Sequence, residues 1–284
     1  KLHYYKSSRG NFGDDLNVWL WSKLIPELVE VAPSDVKVQS SDTLFVGIGT
    51  LLNHHVPREP FKVVFGAGVG YGDLPIIDER WKFYCVRGPL SARALGLPPS
   101  VAITDAAALL RTVNLPSRPK LYSASFMPHH TANQSANWKV VCQLAGLHYI
   151  DPTQSVEDVL FEIQSSRVIL AEAMHGAIVA DALRVPWIPV QVTKTVNEFK
   201  WHDWCQSLNL EYKPVVIFPR IGIPGTGWSS FIKRMALIPF IGPRLGWVAK
   251  YVQPILSSDC VIEEATARLQ EQLEKLEAGK LSCI

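Results

Sequence analysis

The sequence predicts an α/β protein made of two domains, each with a parallel sheet. Several short apolar runs, such as 43–48, 62–65 and 168–170, lack the polar alternation of a half-exposed strand. Such runs are typical of strands that are buried on both faces of a parallel sheet. Helix-like stretches separate them, as the connections between parallel strands require. A proline-rich segment at 112–120 interrupts the pattern, so we predict a domain boundary there.

The first series of elements predicts an N-terminal Rossmann-like domain over residues 1–113. Strands are expected at 2–6, 43–48, 62–65, 83–86 and 101–103, and helices at 89–95 and 106–110. A further helix is expected after the loop at Asn11, because Asp14 and Asp15 are acids that suit a first helical turn.

The second series predicts a C-terminal Rossmann-like domain over residues 119–258. Strands are expected at 121–126, 149–150, 168–170, 187–192 and 215–218, and helices at 135–145, 156–165 and 177–183. Two such domains in succession predict a glycosyltransferase-B-like architecture, in which a cleft lies between the carboxyl ends of the two sheets.

An amphipathic helix is predicted at the C-terminus, over residues 259–284. Asp259 can cap its start, acidic residues suit its first turns, and Gly279 is expected to stop it. One face carries apolar residues at helical spacing: Ile262, Ala265, Leu269, Leu273 and Leu276. We expect this face to pack against the first domain.

The composition disfavours several classes of protein. With 284 residues, of which 48% are hydrophobic, the chain is long enough to bury the cores of two modest domains. The net charge of +2 is nearly balanced, so nucleic acid is not an expected partner. Five scattered cysteines without CxxC spacing indicate neither a disulfide framework nor a zinc site. No secretory leader is visible, and we therefore expect a cytoplasmic protein with reduced thiols.

Two strand-loop-helix junctions are the best places for a ligand. The first follows the opening strand at 11–17, and the second runs from the strand 168–170 through Glu172 to His175 at a helix start. Loops of this kind form the ligand sites of α/β proteins. Because a histidine titrates near neutrality and a helix amino end favours anions, His175 is the strongest candidate for a general acid or a phosphate ligand.

Other charged residues also lie at predicted strand ends or helix starts. Arg87 could hold a carboxylate or phosphate, or it could pair with an acid at the surface. Lys194 follows a strand in the same way, although a lone lysine is more often solvated. Glu172 could orient the imidazole of His175 or cap the helix. Asp14 could act as a base or only complement the helix dipole.

Adjacent histidines follow the first strand of the second domain. His129 and His130 could contact a substrate or lie in a solvated loop. Two neighbouring residues cannot both face one metal from a regular element, so no metal site is predicted. The segment 201–204, Trp-His-Asp-Trp, is expected to pack in a core rather than to stack on a sugar.

Several short motifs follow one another in order. They are Asn-Phe-Gly-Asp-Asp-Leu-Asn at 11–17, Val-Arg-Gly-Pro-Leu-Ser at 86–91, Met-His-Gly at 174–176, Val-Pro at 185–186 and Lys194. Together they resemble the polysaccharide pyruvyl transferase family, and the first most resembles the ketal-forming enzymes of bacterial exopolysaccharide assembly. The resemblance implies that an enolpyruvyl unit passes from phosphoenolpyruvate to two hydroxyls of one sugar on a lipid-linked oligosaccharide, leaving a pyruvate ketal and phosphate. It implies no cofactor beyond this donor, and it places the acceptor in the first domain and the donor in the second.

The resemblance also assigns roles to individual residues. It implies that His175, Asp14 and Glu172 are catalytic. It further implies a set of substrate-binding residues: Arg87, Lys194, Asn11, Gly13, Ser91, His129, His130 and Gly176. The chain departs from the family at one position, because the family often carries an arginine two residues before this histidine and the chain has Ala173. One anion contact must therefore come from elsewhere or is absent.

Two other functions stay open at this point. The first is a nucleotide-sugar-dependent glycosyltransferase of the same architecture, because a fold does not fix a reaction. The second is a non-catalytic glycan-binding subunit of an exopolysaccharide assembly complex, which the alanine at 173 would permit. The sequence indicates neither the acceptor sugar nor the oligomeric state.

A basic and aromatic segment at 219–256 predicts contact with an anionic membrane surface. The wider stretch 212–258 contains six lysine and arginine residues and no aspartate or glutamate. Prolines and charges interrupt it, so it cannot span a bilayer, but its composition suits an element that lies on lipid. The predicted contact residues are Phe231, Lys233, Arg234, Phe240, Arg244, Trp247 and Lys250. The protein would then be peripheral on the inner face of the cell membrane. The alternative is a surface helical hairpin packed on the second domain.

Overall fold

A computed structural model describes residues 1–27, 30, 39–132, 136–194, 196–221 and 228–281 of the protein. Within these ranges, side chains are described everywhere except at 219–221, 228–237 and 280–281. The described strands form two separate parallel sheets, and helices connect them. The prediction of an α/β protein with two parallel sheets is confirmed.

The first sheet has four strands in the order β1-β2-β3-β4. They are β1 (Leu2–His3), β2 (Thr43–Val46), β3 (Phe61–Phe65) and β4 (Trp81–Cys85), all paired in parallel. Helix α1 (Phe12–Leu24) follows β1, and α2 (Pro89–Ala94) follows β4. The strand predicted at 101–103 is reduced to a single bridge between Ala102 and Val86. The predicted helix behind it is a 3-10 helix, Ala106–Thr112, whose start is capped by Asp105.

The second sheet has five strands in the order β6-β5-β7-β8-β9. They are β5 (Ser125–Met127), β6 (His148–Tyr149), β7 (Ile169–Ala171), β8 (Trp187–Thr193) and β9 (Val215–Ile221), again all paired in parallel. Its helices are α3 (Trp138–Ala145), α4 (Val156–Gln164), α5 (Met174–Ala182) and α6 (Glu198–Ser207), and a short 3-10 turn covers His130–Ala132. The connection from β6 to β7 crosses β5, so β5 pairs with β6 on one side and with β7 on the other.

Two long helices complete the chain. Helix α7 (Trp228–Tyr251) is one continuous helix that includes Pro239 and Pro243, rather than the two short segments that the prolines suggest. Helix α8 (Asp259–Leu281) continues past Gly279, which was expected to stop it. No helix in the described ranges is long and apolar enough to cross a bilayer.

The largest hydrophobic cluster is shared by the two halves of the chain. It joins Phe12 and Leu16 of α1 to Trp187, Trp201 and Trp204 of the second half, and all five are at most 1% exposed. The core packing predicted for the two tryptophans at 201 and 204 is therefore confirmed. Because α6 contributes to this shared core, polar groups on the same helix reach the loops of the first sheet.

Candidate active site

A cavity of about 840 Å³ opens where the loops that follow strands of both sheets meet. Its walls come from the segments after β1, β2, β3, β5 and β7, from the end of β8, and from one side chain of α6. Carboxyl ends of parallel strands are the usual place for a ligand in α/β proteins. The described cavity includes the following residues that the sequence singled out: Asn11, Gly13, Asp14, His129, His130, Ala173 and His175.

The amino ends of α1 and α5 touch each other in this cavity. A Cβ atom added to Gly13 would lie 2.7 Å from Cγ of His175 and closer still to Nδ1. Any side chain at position 13 would therefore displace the imidazole. Ala173 precedes α5 and offers no side-chain cap, so the first amide groups of this helix are open to a ligand. The open amino end of α5 favours an anion, while α1 brings the carboxylate of Asp14 into the same cavity.

The imidazole of His175 faces the buried carboxylate of Asp105. Nε2 of His175 lies 3.7 Å from Oδ2 of Asp105, and the Asp105 side chain is fully buried. Oδ1 of Asp105 accepts a hydrogen bond from the amide of Ala107 at 3.0 Å. Neither Nε2 nor Oδ2 has a hydrogen-bond partner among the described residues. The pair therefore directs Nε2 toward Asp105, while Nδ1 is the ring nitrogen next to Gly13.

Asp14 lies in the first turn of α1 and faces the same cavity. Burial raises the pKa of Asp14 above its ordinary value, whereas the charge of His175 and a hydrogen bond from the Asn11 amide lower it. A carboxylate with a raised pKa is a better proton acceptor than an exposed one. The structure thus brings a candidate acid and a candidate base together.

His129 and His130 line the wall that follows β5. Burial and the nearby charge of Lys200 lower the pKa of His130 to about 4, and the same causes hold the pKa of His129 well below its ordinary value. Both rings are therefore neutral at neutral pH and able to accept or donate one hydrogen bond. The described residues contain no group of three or more histidine, cysteine or acidic side chains that could hold a metal ion.

Glu172 ties two loops together instead of orienting His175. Its Oε1 atom accepts hydrogen bonds from the amide of Val192 at 2.9 Å and from the amide and hydroxyl of Thr193 at 2.7 and 2.8 Å. Its Oε2 atom accepts one from the amide of His129 at 3.2 Å. The carboxylate is 1% exposed and does not line the cavity. Its oxygens are thus occupied by three amides and one hydroxyl, and the catalytic role of Glu172 stays a prediction.

Arg87 is part of a buried network between the two halves of the protein. Its Nε atom donates to Asp203 at 2.9 Å, Nη1 to the hydroxyl of Thr50 at 2.8 Å, and Nη2 to the carbonyl of Val69 at 2.7 Å. Ser91 donates to the same Asp203 carboxylate at 2.5 Å. Arg87 and Ser91 are fully buried and do not line the cavity. The structure therefore places Arg87 behind Thr50, which is itself a cavity residue, and the direct substrate contacts of Arg87 and Ser91 stay predictions.

Two further predicted ligands lie outside the cavity. Lys194 is exposed at the end of β8. Gly176 is buried in α5, where an added Cβ would lie 2.6 Å from Sδ of Met127. Gly176 therefore allows α5 to approach β5 closely, and it serves the fold rather than the ligand.

Lys200 is a charged cavity residue that the sequence did not point to. Lys200 of α6 is 8% exposed and lines the cavity, and its Nζ donates to the hydroxyl of Tyr71 at 2.9 Å. No sequence signal identified it, because it stands between aromatic residues of a helix rather than at a strand end. Its position depends on how α6 packs against the other half of the chain.

Comparison with known proteins agrees with the motifs. The model of the polysaccharide pyruvyl transferase family matches residues 4–193. The chain is also similar to the succinoglycan biosynthesis protein ExoV of Rhizobium meliloti (strain 1021), with 43% identity over 218 residues. That alignment covers 75% of this chain and 66% of ExoV, so the chain spans just under two thirds of its relative's length. The family predicted from the motifs is therefore confirmed: the chain belongs to the polysaccharide pyruvyl transferase family.

Proposed function

We propose that this protein transfers the enolpyruvyl group of phosphoenolpyruvate to two hydroxyls of one sugar in an exopolysaccharide repeat unit, forming a pyruvate ketal. The observation that carries the proposal is the place of His175, which lies in the cavity where α5 begins against the start of α1, in a chain of this family. Phosphoenolpyruvate carries a carboxylate and a phosphate, and the open amino end of α5 favours such groups.

The proposed reaction uses one acid and one base. With Nε2–H facing Asp105, His175 acts as an imidazolium and donates its Nδ1 proton to the methylene carbon of the donor. A sugar hydroxyl attacks C2 while Asp14 accepts its proton. The resulting tetrahedral intermediate loses phosphate, which takes the proton held by Asp14. The second hydroxyl then adds to the same carbon and gives its proton to His175, so both residues return to their starting states. One donor and two hydroxyls enter, and one ketal and one phosphate are released. No external oxidant or reductant is needed.

The exopolysaccharide acceptor is inferred from the relative. ExoV is named for succinoglycan biosynthesis. The region matched by the family model, residues 4–193, includes the cavity motifs. The proposal also includes a glycosyltransferase-B-like arrangement, supported by the two parallel sheets whose strand ends border one cavity. We further propose that the sugar is carried on a lipid at the cytoplasmic face of the membrane.

A strip of exposed side chains on α7 supports membrane contact. Phe240 and Trp247 are each 57% exposed and Tyr251 is 61% exposed, while Ile241 and Leu245 on the opposite side of the helix are buried. Arg244 and Lys250 are also exposed on the strip. Aromatic rings interleaved with cations suit the headgroup layer of anionic lipid. Side chains at 231, 233 and 234 lie outside the described part, so the contacts predicted for Phe231, Lys233 and Arg234 stay predictions.

The direction of α7 relates the strip to the cavity. The helix follows β9, whose carboxyl end lies on the cavity side of the sheet, and Ile255 just beyond the helix pairs with Trp187 at the start of β8. Helix α7 therefore runs along the side of the second sheet from the cavity edge towards the opposite edge, and the strip lies on its second half. We propose that the protein lies on this side when it reaches a lipid-linked sugar.

The reaction is tested with purified protein, phosphoenolpyruvate and a panel of lipid-linked oligosaccharides that includes succinoglycan repeat units. Phosphate release and mass spectrometry of the acceptor should both report one pyruvate ketal per transfer. Parallel reactions with nucleotide sugars test the glycosyltransferase alternative. Hexose transfer without any reaction of phosphoenolpyruvate would replace the proposal, and binding of the glycan without turnover would favour the non-catalytic subunit.

A further inference from the structure

Lys200 is a buried cation that no carboxylate of the described residues contacts directly. Its side chain is 8% exposed, and its ammonium donates to the neutral hydroxyl of Tyr71 and lies 5.1 Å from the centre of the Tyr71 ring. No carboxylate of the described residues forms an ion pair with it within 4.0 Å. Removing an ammonium from water is costly unless an anion compensates for it.

The cavity is where that anion can lie. Among the described residues that line it, Lys200 is the only lysine or arginine. An ammonium has three donors, and Tyr71 uses one of them, which leaves two for a ligand. Burial is the main cause of the lowered pKa of His130 on one wall, and the charge of Lys200 is the second cause. On the other wall, burial raises the pKa of Asp14, and the charge of Lys200 is one of the causes that oppose this rise. Lys200 thus acts electrostatically on both walls of the cavity.

The lysine is held firmly by the first half of the protein. Asn197, one turn earlier, donates its side-chain amide to the carbonyl of Gly70, and Tyr71 follows that glycine. On the other side, Asp203 forms the buried pair with Arg87. These contacts fix α6 on the loop that follows β3, residues 66–72. Lys200 is therefore oriented before any ligand arrives. A preoriented cation binds an anion at lower entropic cost than a mobile surface lysine.

We propose that Lys200 is a donor-binding residue, whose ammonium contacts a phosphate or carboxylate oxygen of phosphoenolpyruvate. This inference rests on the proposed function and adds the residue that supplies positive charge. At position 173 the chain has a cavity-lining alanine, which offers no charge of its own. Lys200 approaches from α6 and provides that charge from another wall.

The test compares binding of phosphoenolpyruvate, inorganic phosphate and a nucleotide sugar by calorimetry. The proteins are the full wild-type chain, Lys200→Met, Lys200→Arg and Lys194→Met. Lys275→Met serves as a control, since Lys275 is an exposed lysine on α8 that pairs with Glu271. Loss of a charge-assisted hydrogen bond should weaken donor binding by about tenfold or more in Lys200→Met, with partial recovery in Lys200→Arg. Lys275→Met should bind as the wild type does.

Thermal unfolding separates binding from folding. Since Lys200→Met removes a poorly compensated buried charge, its Tm without ligand should be equal to or above that of the wild type, while the rise in Tm on adding phosphoenolpyruvate should shrink. Wild-type-like donor binding by Lys200→Met, or a loss confined to Lys194→Met, would overturn the inference while the proposed function stands. A wild-type chain that binds the nucleotide sugar but not phosphoenolpyruvate would overturn the proposed function and, with it, the donor named here.

Discussion

Nε2 of His175 and Oδ2 of Asp105 lie 3.7 Å apart, and both atoms are buried without another hydrogen-bond partner in the described part of the chain. Two unsatisfied buried groups at this separation favour a protonated Nε2 that faces the carboxylate. Asp105 is held in place by the amide of Ala107. The pair therefore sets the orientation of the imidazole, and it makes Asp105 a positioning residue.

Asp105→Asn should lower kcat by about tenfold or more while KM for phosphoenolpyruvate changes little. The asparagine oxygen can keep the bond from Ala107, but its amide nitrogen cannot accept a proton from Nε2. Nitrogen NMR of the labelled imidazole should show a change in the balance between the two neutral tautomers. An unchanged tautomer balance together with an unchanged kcat would remove Asp105 from the account.

Gly13→Ala should abolish most activity because the new methyl group would occupy the space of the imidazole of His175. Steady-state kinetics and Tm are the measurements. Gly279→Ala is the matched control. Gly279 lies within α8, and an added Cβ there would be 3.5 Å from its nearest neighbour, the Tyr84 hydroxyl, which is an ordinary contact distance. That variant should keep full activity and gain a little stability from helix propensity. Full activity of Gly13→Ala would contradict the contact between the two helix starts.

Arg87→Ala should destabilise the protein by about 3–5 kcal/mol, because it leaves the buried Asp203 carboxylate without its charged partner. Urea unfolding measures this loss. Lys213→Ala removes an exposed pair with Glu211 and should cost about 0–1 kcal/mol. A stable Arg87→Ala protein whose only defect is a raised KM for the donor would restore the direct substrate contact that the sequence predicted.

Phe240→Ser with Trp247→Ser should reduce sedimentation with anionic liposomes, and binding of the wild type should weaken as salt is added. Ile76→Ser is the control, because Ile76 is a large apolar residue that is 66% exposed elsewhere on the surface. Equal recovery of wild type and variant in the supernatant, with and without vesicles at low salt, would exclude α7 as a membrane contact.

The sequence predicted the strands and the two junctions well because apolar runs and helix starts are local signals. The sequence predicted that both junctions serve a ligand site. It could not predict the direct contact of Gly13 with His175, because that contact depends on how the two halves pack. The direction of the Arg87 side chain could not be predicted for a related reason. A strand end can direct a side chain into the cavity or into the seam between the halves, and only the position of Asp203 decides which.

The structure differs most from the sequence predictions in one helix and in contacts between residues that are distant in sequence. Prolines usually break a helix, yet α7 runs through both Pro239 and Pro243. Glu172 was placed next to His175 by sequence spacing, whereas its carboxylate faces the amide groups after β5 and at the end of β8. Lys200 carried no signal because it reaches the cavity from a helix of the shared core.

The central claim is that His175 protonates the methylene carbon of phosphoenolpyruvate during transfer to a sugar. The most direct measurement is a reaction in heavy water, with mass spectrometry and NMR of the glycan product. The account predicts one deuterium in the methyl group of each ketal, and a rate at least about a hundredfold lower for folded His175→Ala. A ketal without deuterium, or near-wild-type turnover by His175→Ala, would contradict it.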